Sequence, residues 1–208
     1  MTERCIYLVR HGETAGESSI RYHGRNDVPL SDLGCRQVEG LIGLIRHVSF
    51  AAVIHSPLSR AKESARILVE GLLREPGVVE EAPDLTEVYF GEMEGMTDAE
   101  IAAALPEFYA EWKSGRAKGF PGGETYAAFD ARVGTALDGL MARYPEGHLL
   151  IVAHMGIIRR GAGRLLQMSP EAMSKLNPAL GSLTVLSCEN SSNGPFQLKH
   201  WSLTSDPK

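Results

Sequence analysis

The stretch CIYLVRHGET, residues 5–14, decides how this 208-residue chain is read. Ile6 to Val9 form a continuous apolar and aromatic run, the pattern of a strand buried on both faces. The run ends abruptly in a cation, an imidazole and a glycine: Arg10, His11 and Gly12. A second run, HLLIVAHMG at 148–156, ends in a similar way on His154, with Gly156 two residues on. In open parallel sheets the carboxyl ends of the strands form the ligand crevice. Two central parallel strands would therefore bring His11 and His154 to one cleft. A single histidine at a strand end is most often a satisfied polar residue. Two at equivalent positions, each followed by a glycine that lets backbone approach closely, favour a site instead.

The rest of the chain supplies a frame for such a sheet. Apolar runs alternate with helical patterns, which predicts an α/β fold. The expected architecture is a three-layer α/β/α sandwich with a mostly parallel central sheet and a small helical cap insertion. Strands are expected at 4–9, at FAAVIHS and at HLLIVAH, with GVVEEAPDL as an edge strand. A helix follows Ser31 as N-cap, with Leu33, Val38, Leu41, Leu44 and Ile45 on its apolar face. A second helix starts around Pro57 and a long third one covers ETYAAFDARVGTALDGLMARY. A further helix, GIIRRGAGRLL, follows HLLIVAH. GMTDAEIAAALPEFYAEWKSGRAKGF reads as two short helices split before Pro106, then a basic loop. The reading is one domain over residues 1–208, with the cap inserted at about 95–122. GSLTVLSCE and GPFQLKHWSL form an expected C-terminal hairpin through NSSNG, ahead of a frayed TSDPK tail.

Composition narrows the function. A net charge of -5 argues against a nucleic-acid or acidic-membrane partner. No run approaches the roughly 20 apolar residues of a membrane span, and the N-terminus lacks the shape of a signal peptide. Cys5, Cys35 and Cys188 are widely spaced and odd in number, which suits reduced thiols in a cytoplasmic protein and no zinc or redox pair. No metal or cofactor is expected. The oligomeric state is left open, a homodimer included.

Arginines point to the ligand. Arg10 precedes His11, and Arg60 falls in the first turn of the helix after AAVIHSP, where a third strand ends. Guanidinium forks beside a helix N-terminus suit a phosphate dianion.

The blocks LVRHGET, SPLSRAKESA, LTEVYFGEMEG, PGGET and IVAHMG, in this order over residues 5 to about 160, resemble the histidine phosphatase superfamily, also called phosphoglycerate-mutase-like. The resemblance implies a phosphomonoester hydrolase acting on a small phosphorylated metabolite through a phosphohistidine on His11. It implies that Arg10, Arg60 and His154 hold the phosphoryl oxygens and that Glu87 is the proton donor. Neutral imidazole is an adequate nucleophile near pH 7, and the cations stand where other enzymes use a metal. Gly12 would orient the His11 ring through its carbonyl, while His23 and Gly24 fall where substrate contacts are expected. Family members commonly read R-H-G-E-T-x-x-N, the asparagine helping to bind phosphate; here Glu17 holds that place, with Arg21 as its partner or Ser18 and Ser19 as substitute donors. The short stretch from Glu87 to Gly122 and PGGET favour the phosphatase branch, which includes α-ribazole phosphatases. A phosphoglycerate mutase is the alternative, with Lys113, Arg116 and Lys118 as clamps for a second anion, and a non-catalytic binding module ranks below both.

Overall fold

The computed structural model describes residues 3–17, 19–188 and 195–205. Its centre is a six-stranded sheet of β1 (Arg4–Arg10), β2 (Phe50–His55), β3 (Val79–Glu81), β4 (His148–Ala153), β5 (Leu183–Cys188) and β6 (Gln197–Leu203). The spatial order is β3-β2-β4-β1-β5-β6; β3, β2, β4 and β1 run parallel, while β5 lies antiparallel to β1 and β6 to β5. Seven α-helices accompany the sheet among the described residues: α1 (Asp32–Ile45), α2 (Ser59–Glu70), α3 (Asp98–Ala104), α4 (Pro106–Lys113), α5 (Tyr126–Arg143), α6 (Met155–Leu165) and α7 (Pro170–Ser174).

Period-two alternation divides the core between the two faces of the sheet. Ile6, Leu8, Ile54, Leu149 and Ile151 pack with Val133, Leu137, Ile157 and Ile158 of α5 and α6. Val9, Val53, Leu150 and Val152 pack with Val38, Leu41, Ile45 and Leu68 of α1 and α2. Ile151 is fully buried; truncating such an isoleucine to alanine costs about 2–5 kcal/mol. The expected three-layer α/β/α sandwich is therefore the fold that forms.

This topology creates the crevice. Chain leaves β1 through α1 on one face, and leaves β4 through α6 on the other. Adjacent parallel strands whose connections depart to opposite faces leave a gap at their carboxyl ends, a topological switch point. His11 and His154 stand there.

Several local expectations need correction. Ser31 does cap α1, accepting from the Gly34 N–H at 3.1 Å, but Leu33 and Leu44 are 40% and 48% exposed. The buried stripe is Gly34, Val38, Leu41 and Ile45, because α1 lies close enough at Gly34 for backbone to meet backbone. Pro57 lies outside α2, one residue before its N-cap Leu58. α7 was not anticipated; its five residues are too few to show a period. Cys5 and Cys188 are buried, whereas Cys35 is only partly so. The NSSNG turn falls outside the described residues, as do Ser18 and the last three residues of the tail.

Candidate active site

His11 is held from three directions. Its N–H donates to the Ala153 carbonyl at 3.1 Å, its carbonyl accepts from the Gly181 N–H at 3.0 Å, and its ring is 4% exposed. The Nδ1 of the ring lies 2.7 Å from the Gly12 carbonyl. That carbonyl can only accept, so Nδ1 carries the proton and Nε2 keeps the free lone pair. Gly12 itself must be glycine, since a Cβ would stand 2.2 Å from the Gly34 carbonyl oxygen of α1.

His154 lies edge-on to His11, with ring centroids 5.1 Å apart. It is fully buried, and its Nε2 is 2.7 Å from Ser56 Oγ, while its buried Nδ1 has no partner among the described residues. Burial first, then the positive charges of Arg60 and Arg10, hold the His11 imidazole well below its usual pKa. Burial, Arg60, His11 and Arg10 do the same to His154. Both rings are therefore neutral at pH 7 in the free protein.

The arginines are anchored by carbonyls rather than carboxylates. Arg60, 2% exposed, donates to the Asn26 and Gly24 carbonyls at 2.7 and 2.6 Å. Arg10 donates to the Pro178 carbonyl at 2.8 Å. Burial draws the Arg10 guanidinium down to about 10 and lowers that of Arg60 as well, partly offset in both by the Glu87 carboxylate. Carbonyl anchors fix the forks and leave their charge for a ligand.

Glu87 closes the cleft from the opposite side and is 7% exposed. Its two oxygens accept from the Val88 N–H at 2.9 Å and the Gly156 N–H at 3.0 Å. The glycine after His154 thus has a definite role, because a Cβ at Gly156 would lie 2.4 Å from Glu87 Oε1. Behind Glu87, Arg132 of α5 donates to the Asp84 and Thr86 carbonyls, both at 2.8 Å, and pairs with Glu124 at 2.8 Å. Replacing Arg132 with methionine leaves Glu124 only the longer pair with Arg25 at 3.6 Å and takes a donor from the Asp84 and Thr86 carbonyls, so stability is expected to fall by about 2–4 kcal/mol. Denaturant unfolding of the variant checks this. Glu94, by contrast, caps backbone: it accepts from the Arg25 N–H at 2.6 Å.

The cleft between these groups has a volume of about 450 Å³. Arg10, His11, His23, Gly24, Arg60 and Glu87 line it, together with Ser19, Tyr22, Met155, Asn177 and Leu180. His23 Nε2–H donates to the Gly16 carbonyl at 2.6 Å, which restricts its ring. Glu17 is not brought into the cleft. Its φ of 62° sits in a turn that sends the 64%-exposed carboxylate out to Arg21 Nε at 3.4 Å. The arginine partner expected for it is there, although the segment is a turn and not a helix. Asn177 carried no sequence signal: it lies in a loop without periodicity, between Leu176, whose carbonyl Arg159 holds at 2.7 Å, and the Pro178 carbonyl held by Arg10.

A crevice with neutral imidazoles facing two unspent guanidinium charges is suited to a compact dianion. The chain belongs to the histidine phosphatase superfamily, branch 1, whose family model matches residues 6–204. Among its relatives is the adenosylcobalamin/α-ribazole phosphatase of Salmonella typhimurium, 35% identical over 164 residues, which are 78% of this chain and 80% of that protein. A 2,3-bisphosphoglycerate-dependent phosphoglycerate mutase of Gloeobacter violaceus is 31% identical over 180 residues, 82% of this chain and 80% of its own. Among solved structures, a mycobacterial glucosyl-3-phosphoglycerate phosphatase superposes with a TM-score of 0.82 at 26% identity, over 97% of this chain and 99% of that one.

Proposed function

We propose that the protein hydrolyses a small phosphomonoester through a phosphohistidine on His11. The observation that carries the reading is the ring geometry. The Gly12 carbonyl accepts from Nδ1–H, which leaves the Nε2 lone pair for a ligand in the cleft that His11 lines with Arg10 and Arg60, while His154 stands buried edge-on to the ring. In the first half-reaction Nε2 bonds to phosphorus while the ester P–O bond breaks, and Glu87 gives its proton to the leaving oxygen. In the second, Glu87 takes a proton from water as that oxygen attacks phosphorus, and the N–P bond electrons return to His11. Arg10 and Arg60 hold the equatorial oxygens throughout.

His154 completes the charge balance. A bound dianion next to a neutral, buried imidazole raises its proton affinity, which reverses the effect of the arginines. Near pH 7 about half of free inorganic phosphate carries an extra proton that it loses on binding as the dianion, so charging of His154 should leave a net uptake of about half a proton. Calorimetry in buffers of different ionisation enthalpy measures that number, and a net release of about half a proton would show that His154 stays neutral. For stability the sign is opposite. Both imidazoles have folded-state pKa values below the unfolded one, so stability is complete above about pH 6.5 and declines as pH falls below it.

The cap reading of residues 95–122 draws support from α3 and α4, whose Trp112 meets Tyr22 of the cleft at 5.4 Å between ring centroids. Hydrolysis is favoured over mutase activity by Lys113. Its ammonium is 2.7 Å from Asp98 and so is not free to clamp a second phosphate. Turnover of p-nitrophenyl phosphate in EDTA tests the hydrolase; formation of 2-phosphoglycerate from 3-phosphoglycerate and a bisphosphate primer would establish the mutase instead. The three cysteines form no disulfide among the described residues, which suits a reducing, cytoplasmic setting, to be checked by subcellular fractionation.

A further inference from the structure

A second cavity, of about 640 Å³, opens on the other side of Glu87. It shares Tyr22, Glu87, Phe90 and Met155 with the phosphate cleft, so the two adjoin at the proton donor. A group that leaves phosphorus on the Glu87 side has this cavity beside it. Its walls are Tyr22, Phe90, Trp112, Phe120, Tyr126 and Phe129. These rings already pack edge to face on one another, with centroids 4.8 Å apart for Phe90 and Phe120 and 5.3 Å for Phe120 and Tyr126. Such surfaces favour a planar or ring-bearing group.

Apart from the proton donor Glu87, the charged groups of this cavity are ion-paired with one exception. Lys113 pairs with Asp98 at 2.7 Å, Arg160 with Asp130 at 2.9 Å, and Glu171 with Lys175 at 3.0 Å. Arg159 is partly buried and pairs with no carboxylate among the described residues; its one bond is from Nε to the Leu176 carbonyl. Burial lowers its pKa, and the nearby Glu87 carboxylate is the main influence in the other direction. A guanidinium half withdrawn from water without a counter-ion is costly unless a ligand supplies the charge. Arg159 does not line the phosphate cleft, so the phosphoryl group is not that ligand.

We infer that this cavity holds the alcohol half of the substrate and selects a ring-bearing alcohol with an anionic group, which Arg159 binds. The inference rests on the phosphatase reading above and adds the class of its substrate. A three-carbon acid would satisfy Arg159 but leave the aromatic walls uncovered.

The test compares three probes: 4-carboxyphenyl phosphate, its near-isosteric amide 4-carbamoylphenyl phosphate, and 3-phosphoglycerate. The wild-type protein is expected to prefer the carboxylate over the amide by about 30-fold in kcat/KM, the scale of one charge-assisted hydrogen bond in a partly dry site. Both aryl esters should exceed 3-phosphoglycerate by at least about tenfold. In Arg159→Gln the carboxylate-to-amide ratio should fall at least about 15-fold below its wild-type value, and Arg159→Lys should keep part of it. Comparing ratios across variants cancels the different reactivity of the two phenols. A ratio that survives Arg159→Gln overturns the inference while leaving the hydrolase intact. Equal losses on both aryl esters would reduce Arg159 to an anchor for Leu176. Preference for 3-phosphoglycerate would overturn the ring-bearing class. No turnover of any probe would sink the hydrolase and the inference together.

Discussion

His11→Ala is expected to lower kcat by at least about 10⁴-fold and to abolish acid-labile phosphate incorporation from a labelled phosphomonoester. Removing the nucleophile leaves only binding and electrostatic positioning. Binding should suffer less. Arg10 and Arg60 are anchored by carbonyls of Pro178, Asn26 and Gly24, none of which depends on the His11 ring. The product phosphate should accordingly still bind to the variant, which calorimetry can show. A variant that keeps even a tenth of wild-type turnover would mean that another group attacks phosphorus.

Glu87→Gln separates the two half-reactions. Losing a positioned proton donor costs about 10²–10⁴-fold, but the cost depends on what leaves. An alkyl alkoxide needs the proton, so alkyl esters should show the full loss in the first step. Nitrophenolate departs without help. With p-nitrophenyl phosphate the variant should release a rapid burst close to one equivalent of nitrophenol, followed by slow turnover, because the phosphohistidine now waits for unactivated water. Stopped-flow absorbance reads both phases. No burst, with steady-state rates equal to wild type on alkyl and aryl esters alike, would remove Glu87 from the chemistry. Gly156→Ala should act in the same direction and by about 10-fold or more, since its Cβ would occupy the place of Glu87 Oε1.

How much of this was legible in the sequence follows from which signals are local. β1 and β4 stood out because a strand buried on both faces is an unbroken apolar run, and the ends of those runs carried His11 and His154. Arg60 was visible through its place after a strand and at a helix start. Glu87 was not separable from Glu81, Asp84 and Glu92 by pattern alone, and resemblance to the family singled it out. What was missed comes from contacts between distant segments. Asn177 enters the cleft only because Arg10 and Arg159 hold the carbonyls on either side of it. Arg132 matters because α5 passes behind the Glu87 segment. Glu17 stands outside the cleft, paired with Arg21 as expected, through a left-handed φ at a non-glycine residue that no residue type announces. Leu33 and Leu44 match a helical period, yet the close approach of Gly12 and Gly34 rotates α1 away from them.

The strand order carries a consequence for how the protein comes into being on the ribosome. β1 is the first strand made, but its neighbours are β4 and β5 alone. β2 and β3 can pair early; β1 has to wait until more than half the chain has emerged, and β4 must then slot between two strands already synthesised. Contacts this distant in sequence form slowly, and an apolar strand without partners is open to pairing with another chain. The strand that carries the nucleophile is thus the last of the parallel four to be enclosed, because β4 and β5 must both be made before it is paired on both sides.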